Sequence, residues 1–151
     1  MEQEDHIKGL GVLISYFHAL EFILRGVLKN QEKEKSNKVN YSTLKMGDSV
    51  PEDPMTNYDS LGALIKKYNK IAPNNLKIDS EIITIRDAIA HGRVFSDTQN
   101  LPMKLFKFEK PENGVTSVKF AQTLDKDWFQ SNLVHIYGEI EKAMKMNEMS
   151  E

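Results

Sequence analysis

The chain has 151 residues, of which 40% are hydrophobic and 28% charged, the size and mix of one compact domain with a single core rather than two. Its 22 acidic and 20 basic side chains leave a net charge of −2, which excludes a uniformly cationic nucleic-acid wrapper, so any nucleic-acid site must be local. The lack of cysteine excludes a disulfide framework, a thiolate metal site and a cysteine nucleophile, and fits a reducing compartment.

In chain order, the start is acidic at Glu2, Glu4 and Asp5. No apolar run approaches the roughly 20 residues that span a bilayer, so neither a signal peptide nor a membrane anchor is expected and the location is read as cytoplasmic. From about Asp5 to Lys29 the residues Ile7, Leu10, Ile14, Phe17, Leu24 and Leu28 fall at steps of three, four and seven and predict a helix with one buried stripe. Residues 31–56 are charged at their start and carry Pro51 and Pro54, which predicts a long loop, with a weak strand signal over Val39 to Leu44. Leu61, Leu64, Ile65, Tyr68 and Ile71 form a second helical stripe, with Asn57 or Asp59 as N-cap and Pro73 as the stop. A third helix begins near Asp79 or Ser80, lines up Ile78, Ile82, Ile85 and Ile89, and ends at Gly92, a residue suited to a left-handed C′ position.

After Gly92 the period changes to two. Arg93 to Ser96, Met103 to Glu109 and Val115 to Gln122 are β-prone runs, the last two separated by a segment containing Asn113-Gly114, a strong hairpin signal. Asp125 can cap a last helix with the stripe Phe129, Leu133, Ile136, Tyr137, Ile140 and Met144, leaving a polar tail at 147–151. The expected fold is mainly α: one domain over residues 1–151, four helices in a bundle, and a small β-hairpin or sheet inserted at 93–123 between the third and fourth. Residues 93–123 hold five basic and three acidic side chains, and residues 31–77 eight Lys and six acids; these are the mildly basic parts.

The segment that can carry chemistry is Ile85-Arg86-Asp87-Ala88-Ile89-Ala90-His91-Gly92-Arg93, at the end of the third helix. Arg86 and His91 are five apart, about 140° around a helix, so their backbones do not share a face and only the long Arg side chain can curve toward the imidazole. Asp87 and His91, four apart, do share one, and the carboxylate can orient the ring and favour its protonated form. An Arg to neutralise developing charge beside an imidazole to move protons suffices for metal-free RNA cleavage by the ribose 2′-hydroxyl. Glu21 falls in the apolar stripe of the first helix and needs a partner. Arg86 is the preferred one, and Arg25 at i+4, in a local exposed pair, is the alternative.

Of the other histidines, His6 is expected to be exposed and His135 to sit at the edge of the last stripe. His18 and Glu21 with Asp87 and His91 sketch a metal site, a less favoured alternative because bundle sites usually draw more carboxylates from facing helices. Trp128, Tyr16, Tyr41, Tyr58 and Tyr68 are base-stacking candidates without a common period.

The motif Arg86-Asp87-(Ala88, Ile89, Ala90)-His91 resembles that of the HEPN superfamily, small four-helix domains marked by Arg, a polar residue and then His near the end of a core helix. The resemblance implies a homodimer whose two motifs line one groove, and a metal-independent endoribonuclease of toxin or defence type, needing no cofactor. Arg86 and His91 would be catalytic, with Asp87 and Glu21 supporting them. RNA or a nucleotide would be the ligand, and a cognate antitoxin protein, for example one resembling a nucleotidyltransferase, a partner. The same fold also implies the alternative of a non-catalytic module binding a nucleotide or a protein.

Overall fold

The computed structural model describes residues 3–32, 39–97 and 100–150. It contains α1 (Gln3–Asn30), α2 (Leu61–Ile71), α3 (Ile82–His91) and α4 (Lys126–Ser150), with β1 (Arg93–Asp97), β2 (Asn100–Phe108) and β3 (Val118–Thr123) between α3 and α4. The strands form one antiparallel sheet in the order β1-β2-β3. This is the mainly helical architecture with an inserted sheet that the apolar periods predict.

α1 and α4 are the long central pair. His6 meets Phe129 near their starts and Asn30 hydrogen-bonds Asn147 near their ends, so the two helices run side by side in the same direction. The core gathers Leu13, Leu20, Leu24 and Val27 of α1, Leu64, Ile65 and Tyr68 of α2, Ile82 and Ala88 of α3, Leu105 of β2, and Ile136 and Ala143 of α4. Each fully buried large aliphatic side chain here contributes about 1.5–3 kcal/mol. Burial pushes the Tyr68 phenol up to about 12, with the Glu139 carboxylate adding to the shift. The phenol stays protonated and donates to the Leu76 carbonyl at 3.1 Å.

The expected stripe of α1 is rotated from the one observed. Phe17 and Leu24 are buried as expected, but Ile7 and Ile14 are 63% and 42% exposed, and His6, Leu13, Leu20 and Val27 take the buried positions. The helix carries apolar residues on two faces, and α4, packing on one of them, selects the phase. The same two-faced pattern makes α1 long and apolar enough to cross a bilayer by length and composition alone, with mean hydropathy 1.5 over an 18-residue window, a test that the core helix of a bundle also passes. Its inner face is packed in this bundle. His6, expected at the surface, is fully buried because its Nε2 accepts a hydrogen bond from the Met103 amide of β2 at 3.1 Å.

Caps and turns were partly legible. Asp125 caps α4 through the Trp128 amide at 2.8 Å, and α4 continues as helix through most of the expected polar tail, to Ser150. Asn113 and Gly114 both take positive φ, 50° and 76°, with paired backbone bonds between Glu112 and Val115, the hairpin turn that the dipeptide predicts. α2 is capped by Ser60 through the Ala63 amide, not by Asn57 or Asp59, whose side chains serve other partners. At the start of α3 the Asp79 carboxylate accepts from the Glu81 amide at 3.0 Å, one residue before the helix. Gly92 is extended, at φ −79° and ψ 177°, not left-handed. Space is what it supplies: a Cβ there would overlap the Ala88 carbonyl oxygen and come within 2.8 Å of Leu105 Cδ1 and 2.9 Å of the Phe106 oxygen. That close approach lets the end of α3 lie directly against β2.

The expected loop forms no strand in its described residues 39–44, where Tyr41–Thr43 makes a single 3-10 turn. Its later part is tied to α1. Lys29 Nζ meets Asp53 Oδ2 at 2.6 Å, and Asp53 Oδ1 accepts from the Met55 amide at 2.7 Å. Burial of the Asp53 carboxyl raises its pKa, but the Lys29 hydrogen bond and the Met55 and Thr56 groups outweigh it, so the net shift is below the ordinary 3.8. A carboxylate depressed in the folded state stabilises above its unfolded pKa and loses that contribution as pH falls through the folded value. Thermal melts between pH 6 and pH 2 should therefore show a steeper acid loss for the native chain than for Asp53→Asn. Parallel curves would mean that the pair adds nothing to acid stability.

Candidate functional site

α3 carries the Arg–His motif, and its short length and Gly92 exit place the motif where helix, α1 and sheet meet. The motif's Arg and His side chains do not converge within one chain. Arg86, with 36% of its side chain exposed, opens into a groove of about 210 Å³ between α1 and α3, lined by Ile14, Phe17, His18, Glu21, Leu61, Ile89 and Ala90. His91 is the last residue of α3, exposed, and lines a different cleft of about 230 Å³ with Arg93, Phe108, Glu109, Pro111 and Thr116. The 140° offset read from the sequence thus decides the matter: the Arg86 side chain does not curve back to the imidazole.

Each motif residue has instead a neighbour that the spacing argument left aside. His18 of α1 shares the Arg86 groove, and Arg93, two residues after His91 and at the start of β1, shares the His91 cleft. The signal for Arg93 in the sequence is a cation placed directly after the glycine that ends the helix. Asp87 does not hold His91. Its Oδ1 accepts from Arg86 Nη1 at 3.1 Å, and it lines a third cavity with Ile83, Thr84, Lys107, Lys119 and Phe120. Among the described residues no side chain lies within hydrogen-bonding distance of the His91 ring, which leaves both ring nitrogens open to a ligand.

Glu21 pairs with Arg25, not with Arg86: Arg25 Nη2 and Nε donate to Glu21 Oε1 at 2.9 and 3.1 Å. The pair is neither exposed nor purely local, since only 12% of the Arg25 side chain is accessible. The guanidinium also donates to the carbonyls of Pro54, Asn57 and Asp59 and to Asn57 Oδ1, at 2.8–3.2 Å. Arg25 is thus a clamp holding residues 54–59 against α1; it takes up the Asn57 side chain, while the Asp59 carboxylate is held by Lys67 Nζ at 2.6 Å. Glu21→Gln should cost about 1 kcal/mol, because the amide keeps the acceptor oxygen and loses the charge, and a melt should register it as a drop of a few degrees. A more than tenfold loss of turnover at unchanged melting temperature would instead assign Glu21 to chemistry in the Arg86 groove.

His135 is half-buried and meets Asp79 Oδ2 at 3.1 Å, beside the buried Glu139, whose Oε2 accepts from the Asp79 amide at 2.9 Å. This network joins α4 to the entry of α3. Among the described residues no group of three or more His, Asp or Glu side chains is arranged to hold a metal ion, and His18 and His91 open on different cavities. Comparison of the chain with models of protein families, with curated proteins and with solved structures found no match in any of the three.

Proposed function

We propose that this chain is a metal-independent endoribonuclease of the HEPN type, acting in the cytoplasm as a homodimer. The observation that carries the reading is His91: an exposed imidazole without a side-chain partner among the described residues, at a helix end, in a cleft with the Arg93 guanidinium. A general acid or base must be accessible and beside a charge-stabilising group. In the reaction, the ribose 2′-hydroxyl gives up its proton to a base and its oxygen forms a bond to phosphorus. The bond from phosphorus to the 5′-oxygen breaks, and that oxygen takes a proton from an acid. The products are a 2′,3′-cyclic phosphate and a 5′-hydroxyl. His91 serves as one of the two proton-transfer groups, and Arg93 faces the developing phosphoryl charge.

In this reading the homodimer forms through α1. On α1, Ile7, Ile14, His18 and Phe22 fall within about 80° of arc, and Ile7, Ile14 and Phe22 are 63%, 42% and 64% exposed. This apolar stripe borders the Arg86 groove, and a symmetric pair covering it brings two Arg86 side chains together. A non-catalytic binding module is the second reading, favoured by the division of Arg86 and His91 between two cavities. In either case a cognate antitoxin protein is a partner that the family resemblance supports.

Purified protein should cut single-stranded RNA in EDTA and leave 2′,3′-cyclic ends, and light scattering should give roughly twice 17.3 kDa. Cutting that is lost in chelator and restored by a divalent ion would replace this chemistry with a metal-dependent one. A monomer that binds nucleotide and cuts none of a varied RNA set would establish the binding module.

A further inference from the structure

We propose that the solvent-facing side of the β-sheet is a stacking platform for unpaired bases of single-stranded RNA, formed by Phe95, Phe106 and Phe108 and joined to the His91 cleft by Arg93. The proposal rests on the RNA reading above and names where the substrate lies.

The register puts these residues on one face. Arg93 pairs with Phe106 and Phe95 with Lys104, while Phe106 pairs with Ala121 and Lys104 with Thr123; directly paired residues share a face. The opposite face turns inward, where Leu105 is buried and Phe120 packs against the core. Folding therefore has its apolar face already, and the outer phenylalanines are additional. Phe95 is 48% exposed. Its ring lies 5.6 Å from Phe106 and 6.5 Å from Phe108, and Phe106 and Phe108 stack at 6.2 Å. Cross-strand aromatic contact stabilises a sheet, but it does not call for a cation on the cluster. Here the Arg93 guanidinium sits 5.8 Å over the Phe108 ring, and Lys104 stands across from Phe95 on the same face.

Flat apolar rings with cations at their margin match a ligand made of flat rings on an anionic backbone. On this face the cations are Arg93 and Lys104, whereas Lys107 and Lys119 line the Asp87 cavity with Phe120. Base faces are available only in unpaired strands, which is how sheet aromatics recognise RNA without reading a duplex. Phe108 and Arg93 also line the His91 cleft, so a strand stacked on the platform has its phosphates led to the imidazole. The tyrosines and Trp128 considered from sequence are not part of this face.

The test uses the full chain carrying His91→Ala, so that the probe stays intact, and a fluorescent 12-nucleotide single-stranded RNA of mixed sequence. Phe95→Ala and Phe108→Ala should each weaken binding about tenfold, Phe95→Tyr should retain it within about threefold, and the same RNA annealed to its complement should bind at least tenfold more weakly. Phe95 is exposed enough that its variants should melt with the parent. Unchanged affinity in Phe95→Ala, equal binding of the duplex, or no RNA binding at all overturns the platform, and tighter binding of DNA of the same sequence overturns RNA as its occupant. Cleavage is read separately with His91 present. Cutting whose KM is indifferent to Phe95→Ala overturns the platform and leaves the nuclease, whereas Phe-dependent binding without any cutting supports the platform and removes the nuclease.

Discussion

His91→Ala is expected to slow RNA cleavage by about 10²- to 10⁴-fold, the usual contribution of a positioned proton-transfer group, while moving the melting temperature by no more than a few degrees. The two halves of this expectation come from one observation. The ring is exposed on the last residue of α3 and has no side-chain partner among the described residues, so its removal opens no cavity and strands no buried donor. Its interaction with the helix end contributes on the order of 0.3–1 kcal/mol when protonated. His18→Ala is the informative companion, because His18 lies with Arg86 in the α1–α3 groove. If His18→Ala abolishes cutting and His91→Ala does not, the chemistry belongs to the Arg86 groove. Single-turnover rates and thermal melts on the two variants decide it.

What the sequence made legible follows the range of the interactions concerned. The Asn113-Gly114 turn and the Asp125 cap are short-range features found where residue spacing places them, and the stripes hold at Leu61, Leu64, Ile65 and Tyr68 of α2 and at Phe129, Ile136 and Ile140 of α4, whereas Ile71, Tyr137 and Met144, expected in the same stripes, are exposed. The errors share a different cause. His6 looks exposed until the Met103 amide, 97 positions away, is known to need an acceptor. Glu21 and Arg25 look like a surface pair until the carbonyls of Pro54, Asn57 and Asp59 arrive on the guanidinium. The phase of α1 is ambiguous because two of its faces are apolar, and only packing on α4 selects one. At the site, the Arg–His spacing is plain in the sequence, but its consequence depends on what packs around the helix. A 140° separation on a ten-residue helix wedged between α1 and a sheet sends the two side chains to opposite sides of that wedge. The aromatic face of the sheet was encoded as alternation in Phe106-Lys107-Phe108, but pairing with Phe95 depends on the β1–β2 register, which no single run reveals.

Gly92→Ala should be the most disruptive single-atom addition near the site, costing about 2–4 kcal/mol and lowering the melting temperature by roughly 5–15 °C. The backbone angles are open to any residue, so the argument is one of volume alone. The added carbon would overlap the Ala88 oxygen, which already accepts the Gly92 amide at 2.7 Å, and would press on Leu105 Cδ1 and the Phe106 oxygen. Relief requires breaking that helix-ending hydrogen bond, at about 1 kcal/mol, or moving β2 away from α3. Either movement carries His91 with it and alters its cleft with Arg93 and Phe108, so cleavage should fall together with stability, in contrast to His91→Ala. Shortening the neighbour tests which contact dominates. In Gly92→Ala with Leu105→Ala the side-chain clash is gone, but two backbone oxygens remain in place and a buried leucine is lost, so stability should fall further. Recovery of the melting temperature in that double variant would show that the side chain of Leu105, rather than the backbone of α3 and β2, is what demands glycine at position 92.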